Sequence, residues 1–210
     1  MADKVMAKNT DKAFQPHPEG QFVGQCVDVI DMGEEVSSFP GKPEKLAPKV
    51  AFVYRTGELN DDGAFIDLVA EYTVSLGDLA NLRAFLEQWR GKALTEDQIR
   101  DGVSLEKMEG TWALLTVAHK TSKKGRTYAY IVSAVGVPKQ MQGNLQPFTG
   151  YSRPKYLVDK KEANRVAATA FLERIGVPTT SKRLTGPGDD PGPVFPEGEL
   201  ETEGEDDLPF

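Results

Sequence analysis

The order of hydrophobic periods along the chain restricts its fold more than any other feature. Three early stretches alternate apolar and polar residues as half-buried β-strands do: 22–31, 49–58 and 64–74. The period then changes to that of an amphipathic helix over 75–91, and strand-like stretches return at 111–120 and 126–137. The sequence therefore predicts three strands, a helix and two strands, in that order.

Local signals refine the predicted helix. Ser75 paired with Asp78 is predicted to cap its start, and Gly91 to end it. Leu79 and Trp89 fall on its apolar face, and we interpret Trp89 as a core residue rather than a ligand platform.

Signals elsewhere concern a turn, the first strand and a second helix start. The run LNDDG (59–63) favours a tight turn between two strands, because Asn, Asp and Gly tolerate the backbone angles required. In the first strand, Val23, Val27 and Val29 are predicted to share one face. Thr95 with Gln98 is predicted to cap a short helical turn.

This element order matches the OB-fold, a mainly β, five-stranded barrel, here with a helix between strands three and four. A small α+β sandwich is the competing architecture. We predict a flexible arm at 1–20, the barrel at 21–138, a linker with a C-terminal helix at 139–183, and a tail at 184–210. The helix, expected over 159–176 with Asp159 and Glu162 in capping positions, could dock on the barrel or on a second subunit of a homo-oligomer.

The C-terminal segment 184–210 differs sharply in composition from the rest. It holds nine acidic residues, five Pro and five Gly, with no Lys or Arg. Repulsion between like charges and the shortage of apolar surface predict a disordered tail. The remaining chain has 25 basic and 23 acidic residues, a net charge of +2. This asymmetry indicates binding to nucleic acid, an acidic interaction tail, or both.

Residues of the kind that enzymes use are few and scattered. The two histidines, His17 in the predicted arm and His119 at a strand end, suit neither a metal site nor a catalytic triad. Cys26, the single cysteine, is interpreted as a buried, inert thiol. We therefore predict a non-enzyme without catalytic residues, metal or cofactor. No stretch could span a bilayer or act as a signal peptide, which favours a cytoplasmic protein without membrane association.

Basic and aromatic residues gather on the predicted ligand face of the barrel. Two loops frame that face in an OB-fold, here 36–49, which also carries Phe39, and 119–126. Cations there would contact phosphates, while flat rings stack on bases at about 1–3 kcal/mol each, without regard to sequence. The predicted single-stranded DNA-binding residues are Lys42, Lys45, Lys49, Phe52, Tyr54, Arg55, Tyr72, Lys120, Lys123, Lys124, Arg126, Tyr128 and Tyr130.

These residues also have plainer interpretations. A lysine-rich hairpin tip is often a solvated loop that guards a sheet edge. Phe52 and Tyr54 share a strand face with Val50, so either they belong to the core or Val50 is exposed.

The last six residues, EDDLPF (205–210), resemble the C-terminal tip of bacterial single-stranded DNA-binding proteins, where an acidic run ends in an aliphatic residue, Pro and Phe. The stretch 85–138, about a quarter of the chain, is similar to phage-encoded OB-fold single-stranded DNA-binding proteins. The resemblance implies that the tip docks replication and repair proteins, with Phe210 in an apolar pocket and its carboxylate beside a basic residue. The implied partner-binding residues are Asp206, Asp207, Leu208, Pro209 and Phe210.

Together these features predict a protein that coats and protects single-stranded DNA in phage replication or recombination, in the host cytoplasm, and recruits partner proteins through its tip. The acidic tail is also expected to cover the basic loops until DNA displaces it. Two alternatives stay open. One is a module that binds RNA or a recombination protein, and the other is an acidic DNA mimic that inhibits a nucleic-acid enzyme.

Overall fold

The structure of the protein, a computed structural model, describes residues 14–38 and 41–177. The described residues form two compact units. The first comprises the described parts of 1–30 and 50–152, and the second those of 31–49 and 153–210. The predicted tail, with its partner-binding residues, lies outside the described residues.

Five strands form one antiparallel sheet, as the alternating patterns predict. They are β1 (Gly20–Ser37), β2 (Lys45–Arg55), β3 (Leu68–Thr73), β4 (Trp112–Thr121) and β5 (Thr127–Gly136). Their order across the sheet is β3-β2-β1-β4-β5. A helix, α1 (Asn81–Arg90), separates β3 from β4 in the sequence, so the predicted element order is confirmed.

The sheet is open and does not close into the predicted five-stranded barrel. β3 and β5 form its two edges and lie close to each other, but no hydrogen-bonded ladder joins them in the described part of the chain. Instead α1 lies against both edges. Phe85 stacks on Tyr72 of β3 with 4.7 Å between ring centroids, and Trp89 packs against Gly136 of β5. Aromatic side chains of the helix therefore cover the core along the two edges.

The start of α1 differs from its prediction. Ala80 occupies the N-cap position without a side-chain hydrogen bond, and Asp78 pairs instead with Arg83, with 2.6 Å between Oδ1 and Nη1. Leu79 precedes the helix and is 99% exposed, so its assignment to the apolar face is wrong. The other predictions are confirmed: Trp89 is buried, and the helix ends at Gly91 in the left-handed conformation that glycine favours.

In β1 the buried face is the one opposite to the face that carries the three valines. Cys26 and Ile30 are buried, whereas Val23 is exposed and Val27 and Val29 are half-buried. Asp28 lies on the same buried face as Cys26 and Ile30. Its carboxylate accepts a hydrogen bond of 3.0 Å from the hydroxyl of Tyr151. A partner 123 residues away thus allows a polar residue to lie on the inward face, which the local pattern could not show.

Short helical segments occupy the connections. Helix α2 (Glu96–Asp101) begins with the predicted capping pair, in which Thr95 and Gln98 each bind the other's backbone. Two 3₁₀ segments, Glu106–Met108 and Lys139–Asn144, precede β4 and follow β5.

The second unit holds the C-terminal helix, α3 (Lys155–Arg174), beside the described parts of 31–49. The helix begins at Lys155, directly after Pro154 and four residues before the predicted start, so Asp159 and Glu162 lie inside it and cannot cap it. Asn164 donates a 3.0 Å hydrogen bond to the carbonyl of Met32, and Arg174 pairs with Glu44. The helix therefore packs on the hairpin of β1 and β2 within its own unit.

None of the helices described over 14–38 and 41–177 is both long and apolar enough to cross a membrane.

Candidate nucleic-acid interface

The turn between β4 and β5 presents a group of exposed cations. The amide of Ser122 donates to the carbonyl of Arg126 at 2.9 Å, and the Ser122 hydroxyl accepts from the Arg126 amide at 3.1 Å. These bonds close a tight hairpin whose Lys123, Lys124 and Arg126 side chains are exposed. Within 14–38 and 41–177, none of the three forms an ion pair with a carboxylate, so their charges are available to an anion.

Two exposed tyrosines continue from this tip along β5. Tyr128 lies opposite Lys120 in the register of β4 and β5, and Tyr130 lies opposite Ala118. Directly opposed residues share a face of the sheet, so Lys120, Tyr128 and Tyr130 point to the same side. Each tyrosine is 38% exposed. We call the hairpin cations Lys120, Lys123, Lys124 and Arg126, together with Tyr128 and Tyr130, the hairpin surface.

The hairpin surface has the chemistry that single-stranded nucleic acid requires. Ammonium and guanidinium groups attract phosphates, and exposed rings offer flat faces to unpaired bases. The two functions lie side by side here, since Lys120 directly neighbours Tyr128 across the strands.

The structure places Phe52 and Tyr54 in the core, with Val50, so they are no longer candidates for stacking on a base. Both side chains are 0% exposed, and the Phe52 ring lies 5.2 Å from that of Phe85. Burial raises the pKa of the Tyr54 hydroxyl well above its usual value. Tyr72 is half-buried, its pKa is raised to about 12 by burial, and its ring stacks on Phe85.

The positive charge of Arg55 is paired with a carboxylate inside the protein. Its guanidinium binds both carboxylate oxygens of Asp67 at 2.8 Å, and the side chains are only 8% and 11% exposed. The same group lies 4.2 Å from the centre of the Phe65 ring and 5.3 Å from that of Tyr151. Arg55 therefore supports the fold rather than offering a contact for phosphate.

A segment after β5, predicted to be a linker, covers part of the sheet. Phe148 packs at 5.8 Å from both Phe65 and Trp112, and its amide donates to the Gln25 side chain at 2.9 Å. Only long-range contacts reveal this role, because the local sequence around Phe148 is rich in turn residues.

The predicted loop between β1 and β2 belongs to the second unit. Lys49 forms an ion pair of 3.1 Å with Glu35, while Lys42 and Lys45 are exposed. Phe39 lies outside the described residues. We therefore define the candidate surface without this loop.

His17 is held firmly, which the prediction of a loose arm at 1–20 did not anticipate. Its ring is 1% exposed, and Nε2 shares a 2.7 Å hydrogen bond with the hydroxyl of Thr56. The ring also packs edge-on against Phe22 at 4.6 Å. His119 donates from Nε2 to the carbonyl of His17 at 2.7 Å, so the two histidines fix the arm beside β4.

The groups that enzymes use are either buried or dispersed in the described part of the chain. Cys26 is buried, and burial raises the pKa of its thiol to about 12. Across residues 14–38 and 41–177, no group of three or more His, Cys, Asp or Glu side chains is placed to hold a metal ion.

No protein-family model matches the chain, and no curated protein matches it either.

Proposed function

We propose that the protein binds single-stranded DNA without sequence preference and coats it. The observation that carries this proposal is the hairpin surface, where exposed cations that form no ion pair within 14–38 and 41–177 adjoin two exposed tyrosine rings. Stacking on rings is tolerant of base identity, because every base has a flat face. Contacts to phosphates are equally independent of sequence.

The arrangement of strands supports an OB-like architecture. Joining β3 to β5 would turn the observed order into a closed ring, and the OB-fold is a partly open barrel of five strands. The hairpin between β4 and β5 is one of the two loops that bind oligonucleotides in that fold. This placement agrees with the position of the hairpin surface.

We further propose a role in phage DNA replication or recombination, in the host cytoplasm, with partner proteins recruited through the C-terminal tip. Support for this part comes from the sequence EDDLPF and from the similarity of 85–138 to phage-encoded proteins. An acidic segment with an aromatic anchor is a recurring form of recognition motif.

The test is a salt titration of binding to fluorescent oligo-dT, duplex DNA and oligo-U of equal length. We expect tight binding to the single-stranded DNA, weak binding to the duplex, and affinity that falls as salt rises. The double variant Lys123→Ala/Lys124→Ala should bind more weakly. Losing two phosphate contacts should also lower the salt slope by about 1.4, at about 0.7 per contact for single strands.

A matched control removes two exposed lysines from the opposite end of β5. Gly136 is the last residue of β5, at the end away from the hairpin. Lys139 lies three residues after Gly136, and Lys92 lies three residues after Trp89, which contacts Gly136. Lys92→Ala/Lys139→Ala makes the same change in net charge and should leave the slope unchanged. Equal slopes for the two double variants would remove the hairpin from the binding surface, and tighter binding to oligo-U would favour an RNA ligand. Failure to bind any oligonucleotide would overturn the proposal.

A further inference from the structure

The N-terminal arm contributes an aromatic side chain beside the hairpin. Phe14 is 53% exposed, and the guanidinium carbon of Arg126 lies 4.1 Å from the centre of its ring. Phe14 was not among the residues that the sequence singled out. Its place beside Arg126 depends on contacts between residues more than 100 positions apart.

The arm is fixed at several points next to Phe14. The Gln15 side chain accepts from the amide of Asp61 at 3.0 Å, and the Glu19 carboxylate accepts from the amide of His119 at 2.8 Å. Between them lies the buried ring of His17. The backbone that carries Phe14 is therefore ordered before any ligand arrives, which lowers the entropic cost of binding.

Packing within the fold stabilises the Phe14 side chain only a little. About half of its surface remains in water, so burial stabilises it far less than a core phenylalanine. An exposed cation–π contact adds only modestly to stability, because water already solvates the cation. A ring held in this way is better suited to an external partner that offers a second flat surface.

We infer that Phe14 is a base-stacking residue and that the single strand runs from the hairpin surface over Arg126 to Phe14. The exposed part of the ring would take one unpaired base, while Arg126 holds the neighbouring phosphate. Guanidinium groups suit this double role, since they stack on rings and bind phosphate with the same planar group. The charge of Lys123 and Lys124 beside Arg126 favours an anionic strand over an apolar peptide. This inference rests on the proposed function.

The experiment uses the full chain and fluorescence. Phe14→Trp puts an indole at the site, and the two native tryptophans, Trp89 and Trp112, are only 5% and 7% exposed. We expect saturation with oligo-dT to quench the added indole through stacking. Leu79→Trp is the control, because Leu79 is fully exposed and outside the hairpin surface; its fluorescence should change little.

Binding measurements give a second readout. Phe14→Ala should weaken binding to oligo-dT by about 5- to 150-fold, the range expected for one stacked base. Its salt slope should stay that of the wild type, because no charge is removed. Phe14→Leu keeps an apolar side chain without a ring and should behave like Phe14→Ala, whereas Phe14→Trp should restore affinity. Equal thermal unfolding of the variants would show that the arm's contribution to stability is not the cause.

The outcomes separate this inference from the function on which it rests. Salt-dependent binding that is lost in Lys123→Ala/Lys124→Ala but unchanged in Phe14→Ala, with no quenching of Phe14→Trp, would overturn the role of Phe14 alone. Absence of binding by the wild-type protein would overturn both.

Discussion

At the scale of single residues, the same residue type serves opposite purposes according to its strand position. Tyr54 lies on the inward face of β2 and is fully buried, whereas Tyr128 and Tyr130 point outward from β5. Alternation within each strand could be predicted, but which face turns inward depends on neighbours distant in sequence. For this reason the sequence placed Tyr54 and Tyr130 in one group of candidates, and only the structure separates them.

Cys26 gives a prediction about alkaline pH. Burial raises the pKa of its thiol from 9.0 to about 12, so between these values the thiol is ionised in the unfolded chain and neutral in the folded protein. Its contribution to stability is therefore complete below pH 9 and is lost as pH rises toward 12. The slope is at most about 1.4 kcal/mol per pH unit for one group.

Between pH 8.5 and about 10.5, the free energy of unfolding should fall less in Cys26→Ala than in the wild-type protein, as measured by urea denaturation. The comparison concerns the slope with pH, since the substitution itself removes a buried atom at every pH. Tyr54 and Tyr72 titrate in the same direction in both proteins, so the wild-type curve should not become flat. Parallel curves would show that the thiol ionises as readily in the folded protein as in the unfolded chain.

At the scale of elements, the contact between α1 and β5 depends on a glycine. A Cβ at Gly136 would lie 2.8 Å from the carbonyl oxygen of Trp89, which is backbone and cannot move away without shifting the helix. Gly136→Ala should therefore destabilise the protein by about 1–3 kcal/mol, as overpacking does. The matched control is Gly143→Ala in the 3₁₀ segment, where an added Cβ meets no atom within 4 Å. Equal unfolding midpoints for the two variants would contradict the close approach of helix and strand.

The number and order of the elements could be predicted because each depends on a local period. The five strands and α1 follow from alternation and from the helical spacing of Leu82, Phe85 and Trp89. Features that depend on distant partners could not be predicted. The open edge reflects the packing of α1, and the fixed arm reflects the bond between His17 and Thr56, residues 39 positions apart. The same holds for the candidate site. Its hairpin cations could be predicted from the local sequence, whereas the place of Phe14 depends on distant contacts.

At the scale of the whole molecule, charge is distributed unevenly between the body and the acidic segment 184–210. The full chain carries a net charge of −7, while residues 1–183 have 25 basic and 23 acidic residues, a net charge of +2. Lys123, Lys124 and Arg126 are exposed and unpaired within the described residues, so they can attract either a phosphate strand or the chain's own carboxylates. The two anions would then compete for one surface.

We therefore expect a protein truncated after residue 183 to bind oligo-dT more tightly than the full chain at low salt. The difference should shrink above about 0.2 M salt, because screening weakens the attraction between the acidic segment and the hairpin. Leu208→Ala/Phe210→Ala is the matched variant: it keeps all nine acidic residues, so its DNA affinity should equal that of the wild type. Fluorescence anisotropy at several salt concentrations measures the first effect. Equal affinity of the full and truncated chains at low salt would show that the acidic segment does not compete with DNA.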